Sequence, residues 1–579
     1  MSNKPVSRST ALGLSDAGAA PKLLGADVEL GNFILGVDDE RGTGEVASRA
    51  LLREIEGLPF LDSGLTGAWW DQPGQFQSAG TNPQDWGRKF LPVNGGAVYI
   101  DLAHLEWCAP EILNAYDFAA ATHAMLRIVR AALQAANAKL PEGLKLVVVV
   151  NNQDGQGHSY GSHLNVLMTR AAWNRLFHRR LHELLMLASF QVSSIILTGQ
   201  GMVNSGRGNG GESNGWYELS QRASFFECLV GPQTTYNRPL VNSRDEALCG
   251  SLTSLGSPAD RFARLHSIFF DATLCPASIV LRAGLMQIML GLLERDETGR
   301  HLELILDDPV ETVARWSRDP SLTARAGLLT GEQVTALELQ RRFFDQAARF
   351  VESGGCEGIV PAARGIMELW GDTLDKLGRR DFAALATRLD WVLKLQLLQR
   401  AMHQHPKLNW GSPEIKHLDF KYADLGEGLF WACDQAGAVD HVGVSEEQVR
   451  KFTQEPPVNT RAWTRAHLLR LADPATVAEV DWDKITFEFR GLSGAGFRRT
   501  VRLANPLAFT RDDTEVVFRR SEDLHEALDL LDAPACDPQP VYAAGQYWVA
   551  SNYQPANATS PQSDRTDESG NDQPPHSKL

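Results

Sequence analysis

The chain has 579 residues, 43% of them apolar, enough for a large buried core and for one large domain with a smaller companion or for several domains. Lys and Arg number 56 against 71 Asp and Glu, a net charge of −15. That balance excludes binding to nucleic acid or to an anionic membrane by bulk charge alone. The seven cysteines are scattered and form no CxxC pair, which predicts a reduced, cytoplasmic protein without a disulfide framework or structural zinc.

Residues 1–21 are rich in Ser, Ala and Gly and read as disordered, without the apolar segment of a signal peptide. No stretch approaches about 18 uninterrupted apolar residues, so no membrane span is expected. The first strand is predicted over 24–31. Asp27 and Glu29 lie two apart and share one of its faces. Paired carboxylates repel unless a cation lies between them, and hard oxygen donors suit Mg²⁺. An edge strand with its polar face in water gives the same pattern. A helix follows over 45–57. Residues 58–95, rich in Gly, Pro and Gln, form a loop whose length marks it as functional or disordered.

The run GAVYIDLAHLEWCAPE, 96–111, is the most informative in the chain. An alternating strand over 97–101 ends in Asp101 and is expected to turn into a helix, with His104 and Glu106 around the turn. Acids and a histidine at a strand end suit a metal-assisted site. Acids at a helix N-terminus would explain Glu106 and Glu111, but not Asp101 on a strand.

Further along, helices are predicted over 110–138, 171–188, 275–294, 332–352, 380–404 and 460–472. Strands are predicted over 145–151, 163–168, 192–198, 238–243, 264–270, 484–490 and 499–504. A polar, Gly-rich loop after the strand at 145–151 leads to His163, a candidate nitrogen ligand or nucleotide contact that could equally be a structural histidine. Gly199–Gly215 holds seven glycines but lacks the GxxxxGK[ST] spacing of a phosphate loop, so a flexible loop is expected. Arg222 and Arg244, placed on sheet strands, are candidates for triphosphate contacts, where a guanidinium matches two oxygens at once; surface ion pairs are the plainer reading. His266 follows Arg264 on another strand, and Arg465 lies where Thr460–Arg465 opens a helix.

Strands that do not alternate strictly with helices, and helices that cluster at 330–404, predict an α+β fold with an antiparallel sheet and helices on one side. Residues 22–475 form the expected main domain and 476–535 a small C-terminal one. The polar segment 536–579 reads largely as a solvated tail.

Taken in order, GADVE (25–29), YIDLAHLEW (99–107), SYGSHLN (159–165), SQRA (220–223), RPLVNSRDEA (238–247), ARLH (263–266), DWVLK (390–394) and PPVNTRAWTR (456–465) resemble the motifs of the Pup ligase and Pup deamidase/depupylase family. That family is related to glutamine synthetase, and the resemblance covers roughly 24–535. It implies a glutamine-synthetase-like antiparallel cradle for ATP (or ADP plus phosphate) and Mg²⁺, packed with helices, with a small C-terminal domain.

By this resemblance Asp27, Glu29, Glu106, His163 and His266 match metal or nucleotide ligands, and Tyr99 lies beside the metals. Arg222, Arg244 and Arg465 match positions near the phosphates. Asp101 matches the essential aspartate. In the ligase it is the base for an incoming lysine; in the deamidase it attacks the side-chain amide or activates water. The implied partners are Pup, or a Pup-like small protein and its conjugates, with a link to a bacterial proteasome. The five-residue spacing from Asp101 to Glu106 and the long 58–95 segment resemble the deamidase branch; the alternative is an ATP-dependent ligase acting through an acyl-phosphate. A catalytically silent nucleotide sensor is a third reading. Asp27 stands where the family motif has Glu, Leu164 where it has Glu, Leu105 where it has Pro and Trp107 where it has Tyr. Ala247 and Leu248 replace its Pro-His.

Overall fold

The computed structural model describes residues 18–37, 43–58, 69–70, 88–206, 214–245, 262–295, 301–490 and 496–531. The 1–17 segment, most of the 58–95 loop, Arg207, Ala247, Leu248 and the 536–579 tail lie outside them. The chain opens with β1 (Leu24–Leu35), α1 (Gly44–Gly57), β2 (Trp69–Trp70), β3 (Lys89–Phe90), β4 (Ala97–Asp101), β5 (His104–Cys108), α2 (Ala115–Asn137), β6 (Lys145–Val149) and β7 (Ser162–Thr169). Then come α3 (Arg170–His178), α4 (Leu181–Thr198) and, after strand Phe262–Ser267, α5 (Pro276–Glu294).

These strands form one eight-stranded antiparallel sheet, as the α+β reading expects. Its order is Phe262–Ser267, β7, β1, β5, β4, β3, β2, with β6 pairing the distal half of β1. The 12-residue β1 is the spine. Its Asp27–Leu30 stretch pairs β5, Leu24–Val28 pairs β7, and Gly31–Leu35 pairs β6.

Period-two alternation gives the sheet two unlike faces. Leu24, Ala26, Val28 and Leu30 of β1, Val98 and Ile100 of β4, Leu105 and Trp107 of β5, and Leu164 and Val166 of β7 are buried in the main apolar core. The same core takes in α2, α4 and α5. The intervening residues face the other way and line a cavity.

The structure corrects several expected elements. After Asp101 the chain does not enter a helix: it reverses through Leu102–Ala103 into β5, and the helix starts only at Ala115. Residues 192–198 are the end of α4, a helix buried almost all round. An apolar run lacks periodicity when every face is covered, and its β-branched residues then mimic a strand. The expected helix 171–188 is two helices that break at Arg179–Arg180. Helix Ala363–Arg379 was not expected. Arg222 and Arg244 are not on strands: Arg222 caps a short 3-10 turn, and Arg244 follows strand Pro239–Asn242. Helices α4 and α5 have the length and hydropathy to cross a membrane, but 83% and 100% of their apolar windows are buried inside the protein.

Toward the C-terminus, strands Val477–Val480, Lys484–Arg490 and Gly496–Arg502 form an antiparallel sheet, followed by helices Arg511–Arg520 and Leu524–Leu530. Their core is continuous with Phe90, Ala97, Tyr99 and Cys108 of the large sheet and with Leu468 and Leu469. This unit therefore packs directly against the strands that carry Tyr99 and Asp101.

Candidate active site

A cavity of about 1010 Å³ opens on the polar face of the sheet. Alternation aims Asp27 and Glu29 of β1, Tyr99 and Asp101 of β4, and Glu106 of β5 into it, with His163 and Asn165 of β7 and His266 of the last strand. Cross-strand register sets the neighbours. Glu106 lies opposite Glu29 on one side and Tyr99 on the other, Asp27 opposite His163, and Asn165 opposite His266.

The side chains form two groups. Glu29, Asp101 and Glu106 bring carboxylate oxygens within 4.8 Å of one another; Asp27, His163 and His266 bring one oxygen and two ring nitrogens equally close. His163 Nδ1 lies 2.9 Å from Asp27 Oδ2. Asn165 donates to Asp27 and meets His266 Nδ1 at 2.7 Å through its Oδ1, which also accepts from Arg264 at 3.0 Å. Glu29 accepts the Gly161 amide at 3.0 Å, and the Tyr99 hydroxyl donates to Glu106.

Burial, followed by repulsion from Asp27 and Glu29, drives the Glu106 carboxyl well above the usual carboxylate range; the Tyr99 hydrogen bond opposes this only in part. Burial also pushes at Asp27, but the His163 hydrogen bond and the charges of His266, His163 and Arg264 outweigh it and hold this carboxyl well below its ordinary value. Burial pushes the His266 imidazole far below its usual range, and the Asp27 charge opposes this only in part. One group is thus a hard, all-oxygen set that repels itself, which suits Mg²⁺. The other mixes a carboxylate with two imidazoles, donors that suit metal or nucleotide.

Asp101 is placed by a tight hairpin. It pairs with His104 across a two-residue turn, and both central residues, Leu102 (φ 44°) and Ala103 (φ 74°), are left-handed. That is the type I′ backbone, which favours Asn-Gly; a residue with a Cβ costs about 1 to 2 kcal/mol there. His104 points its Nδ1 at the Leu30 carbonyl, 2.9 Å away, and packs its ring against Tyr160, centroids 4.3 Å apart and tilted by 30°.

Arginines line the far side. Arg222 is fully buried. It donates Nε to the Ile268 carbonyl at 3.0 Å and Nη1 to Ser159 Oγ at 3.2 Å and to the Tyr160 carbonyl. Burial first, then Arg238, lowers it to about 10. Arg238 and Arg244 line the same wall.

Arg465 stands elsewhere. It is completely buried and forks onto Glu111, with Nη2 at 2.6 Å from Oε2 and Nη1 at 3.0 Å from Oε1, and it also donates to the Gly95 and Trp482 carbonyls. The arginine of its motif that lines the cavity is Arg461, one helical turn earlier, and it shares Glu111. Asn165, Arg238 and Arg264 line the cavity as well and were not singled out as site residues. Alternation with His163 marks Asn165, and alternation with His266 marks Arg264. Nothing local in the sequence marks Arg238, or separates Arg461 from Arg465 four residues on.

The antiparallel cradle, with acids at its centre and arginines along one wall, has a glutamine-synthetase-like fold. Residues 38–486 match the family model of the Pup-ligase protein. A Pup deamidase/depupylase of Mycolicibacterium smegmatis is 37% identical over 402 residues, 69% of this chain and 75% of that one. A Pup–protein ligase of Acidimicrobium ferrooxidans is 33% identical over 436 residues, 73% and 88% of the two chains. Among solved structures, the complex of the prokaryotic ubiquitin-like protein Pup with its ligase PafA superposes with a TM-score of 0.68 at 23% identity, over 88% of this chain and 95% of that one. The Pup ligase PafA in complex with ADP gives 0.61 at 24%, over 76% and 90%. The chain belongs to the Pup ligase family, and its curated relatives include both deamidase/depupylases and ligases.

Proposed function

We propose that this protein is an ATP- and Mg²⁺-dependent amidohydrolase that hydrolyses the side-chain amide of a C-terminal glutamine on Pup, or the isopeptide bond between Pup and a lysine. The observation that carries the reading is the placement of Asp101 at the end of β4, with its carboxylate within 4.8 Å of those of Glu29 and Glu106, in a cavity walled by arginines. Relatives named Pup deamidase/depupylase support it.

The donor chemistry fits the implied cofactors. Glu29 and Glu106, with Asp27, His163 and His266, would hold Mg²⁺, and Arg222 and Arg244, with Arg238 and Arg264, would hold the phosphates. When bound, the cation would supply positive charge that offsets the acids and stabilises the charge developing on the carbonyl oxygen.

The protein's own residues do the rest. The Asp101 carboxylate takes a proton from the water that attacks the amide carbon and passes it to the departing nitrogen, or it attacks the carbon itself to form an anhydride, the nitrogen being protonated from solvent, and water then hydrolyses the anhydride and restores the carboxylate. The C–N bond breaks, and nitrogen leaves as ammonia from glutamine or as the lysine amine from a conjugate. The arginine wall orients negative charge, and the C-terminal unit closes the side of the cavity at Trp482 and Asp483. Glu111 keeps Arg465 in that junction, a positioning role away from the phosphates. The reading carries a cytoplasmic location and a functional link to a bacterial proteasome.

Intact-mass analysis of a glutamine-ended Pup incubated with the protein, Mg²⁺ and ATP tests it. A gain of about one mass unit, amide to acid, is the expected result. Persistence of that gain with a non-hydrolysable ATP analogue makes the nucleotide a cofactor. The ligase reading, favoured by the relative of that name, requires instead ADP formed in step with conjugation of a glutamate-ended Pup.

A further inference from the structure

The turn that sets Asp101 in place is built from residues that disfavour it. Leu102 and Ala103 are both left-handed, and neither is Gly, Asn or Asp. A free hairpin with this sequence would relax toward other turns and shift its last ladder pair, Asp101–His104. Something outside the hairpin must hold it.

Two buried polar side chains do so. Asn32 of β1 accepts the Leu105 amide through Oδ1 at 2.9 Å, and its Nδ2 lies 2.7 Å from the Gly44 carbonyl, 2.8 Å from Ser48 Oγ and 3.2 Å from the Ala103 carbonyl. Ser48 of α1 donates Oγ–H to that same Ala103 carbonyl at 2.7 Å. Ser48 is fully buried and Asn32 nearly so. The start of α1 is pressed against the turn: a Cβ built on Gly44 would lie 3.5 Å from the Ala103 oxygen and 3.7 Å from its Cβ. The Ala103 carbonyl, which the ladder does not use, is therefore gripped from two elements, and the amide on the far side of the turn is fixed by the same asparagine.

We infer that Asn32 and Ser48 are positioning residues for the reaction: they clamp the Leu102–Ala103 turn in its left-handed form and so hold the Asp101 carboxylate at the centre of the cavity. This rests on the proposed role of Asp101. Neither residue is among those that line the cavity, and the clamp acts on Asp101 through the two-residue turn.

The test uses the full chain, with amide hydrogen exchange over 101–105 and steady-state deamidation measured together. Ser48→Ala is expected to speed exchange over 101–105 and to lower kcat about tenfold, which corresponds to about 1.4 kcal/mol of barrier. KM and nucleotide affinity stay unchanged. Asn32→Ala shifts both readouts further. Adding Leu102→Asn and Ala103→Gly to the Ser48→Ala chain supplies the dipeptide that prefers this turn, and is expected to restore slow exchange and most of kcat. Unchanged exchange over 101–105 in Ser48→Ala, or a kcat loss that the Asn-Gly turn does not reverse, overturns the clamp. An unsubstituted chain that leaves glutamine-ended Pup intact while exchange still responds to Ser48→Ala overturns the amidohydrolase reading and leaves the clamp standing.

Discussion

The two faces of the central sheet obey different rules. On the cavity face, β1, β4, β5 and β7 present acids, a tyrosine and a histidine, and their surroundings pull two of the acids, Asp27 and Glu106, in opposite directions. On the opposite face the same strands present Val28, Ile100, Trp107 and Leu164, each at most 2% exposed. Leu105, Trp107 and Leu164, three of the positions where the chain departs from its family's motifs, all lie on this second face. Leu164 thus removes no group from the cavity: its neighbours His163 and Asn165 point there, and it does not. Of the departures in the described strands, only Asp27 faces the chemistry. The lesson is that a motif read along a strand mixes two constraints, one for the reaction and one for packing, and alternation separates them.

This contrast can be broken from either side. The largest effect is expected for Asp101→Asn. Deamidation should fall about 10³-fold or more, the range for loss of a base or nucleophile, with the thermal midpoint unchanged; retained turnover would move the chemistry to another carboxylate. On the core face, Trp107→Ala should cost about 4 kcal/mol of stability in denaturant unfolding.

Leu164→Glu sharpens the comparison further. Restoring the motif acid buries an unpaired carboxylate and should destabilise by about 3 kcal/mol, with no gain in Mg²⁺ affinity by calorimetry. A tighter metal site would show that the face assignment is wrong.

At the junction with the C-terminal unit, burial pushes at the Glu111 carboxyl, but the charges and hydrogen bonds of Arg465 and Arg461 bring it from 4.5 to about 2. A folded value below the unfolded one gives stability that is whole above pH 4.5 and lost as the pH falls toward 2, about 3 kcal/mol in all. Unfolding followed against pH should show that slope, and Glu111→Gln should flatten it. The smallest effect is expected for Asp27→Glu, which adds one methylene on the polar face; metal affinity should stay within about tenfold and stability should be unaltered.

Much of this was legible in the sequence. The strand at 24–31, the placement of Asp27 and Glu29 on one of its faces, and the strand at 97–101 that ends in Asp101 all carry alternation that survives into the sheet. The hairpin after Asp101 was not legible, because Leu102–Ala103 gives no turn signal: its left-handed form is held by Asn32 and Ser48, which are remote in sequence. The 192–198 segment misled for the opposite reason, since a helix covered on all sides has no stripe to betray its period. Arg461 and Arg465 lie one helical turn apart, and only tertiary placement decides which one reaches the cavity and which one is spent on Glu111.

That placement leaves an indole at an unusual address. Trp482 stands edge-on to Phe90 with ring centroids 5.0 Å apart, carries the Arg465 guanidinium 4.8 Å from its own ring centre, and lines the cavity. It belongs to the C-terminal unit, yet its surroundings belong to the large sheet. Fourteen tryptophans would blur its emission, but a fluorine-labelled indole at this position alone would give one resonance. That signal would register both the arrival of a ligand in the cavity and any loosening of the seam, a spectroscopic view of the junction independent of turnover.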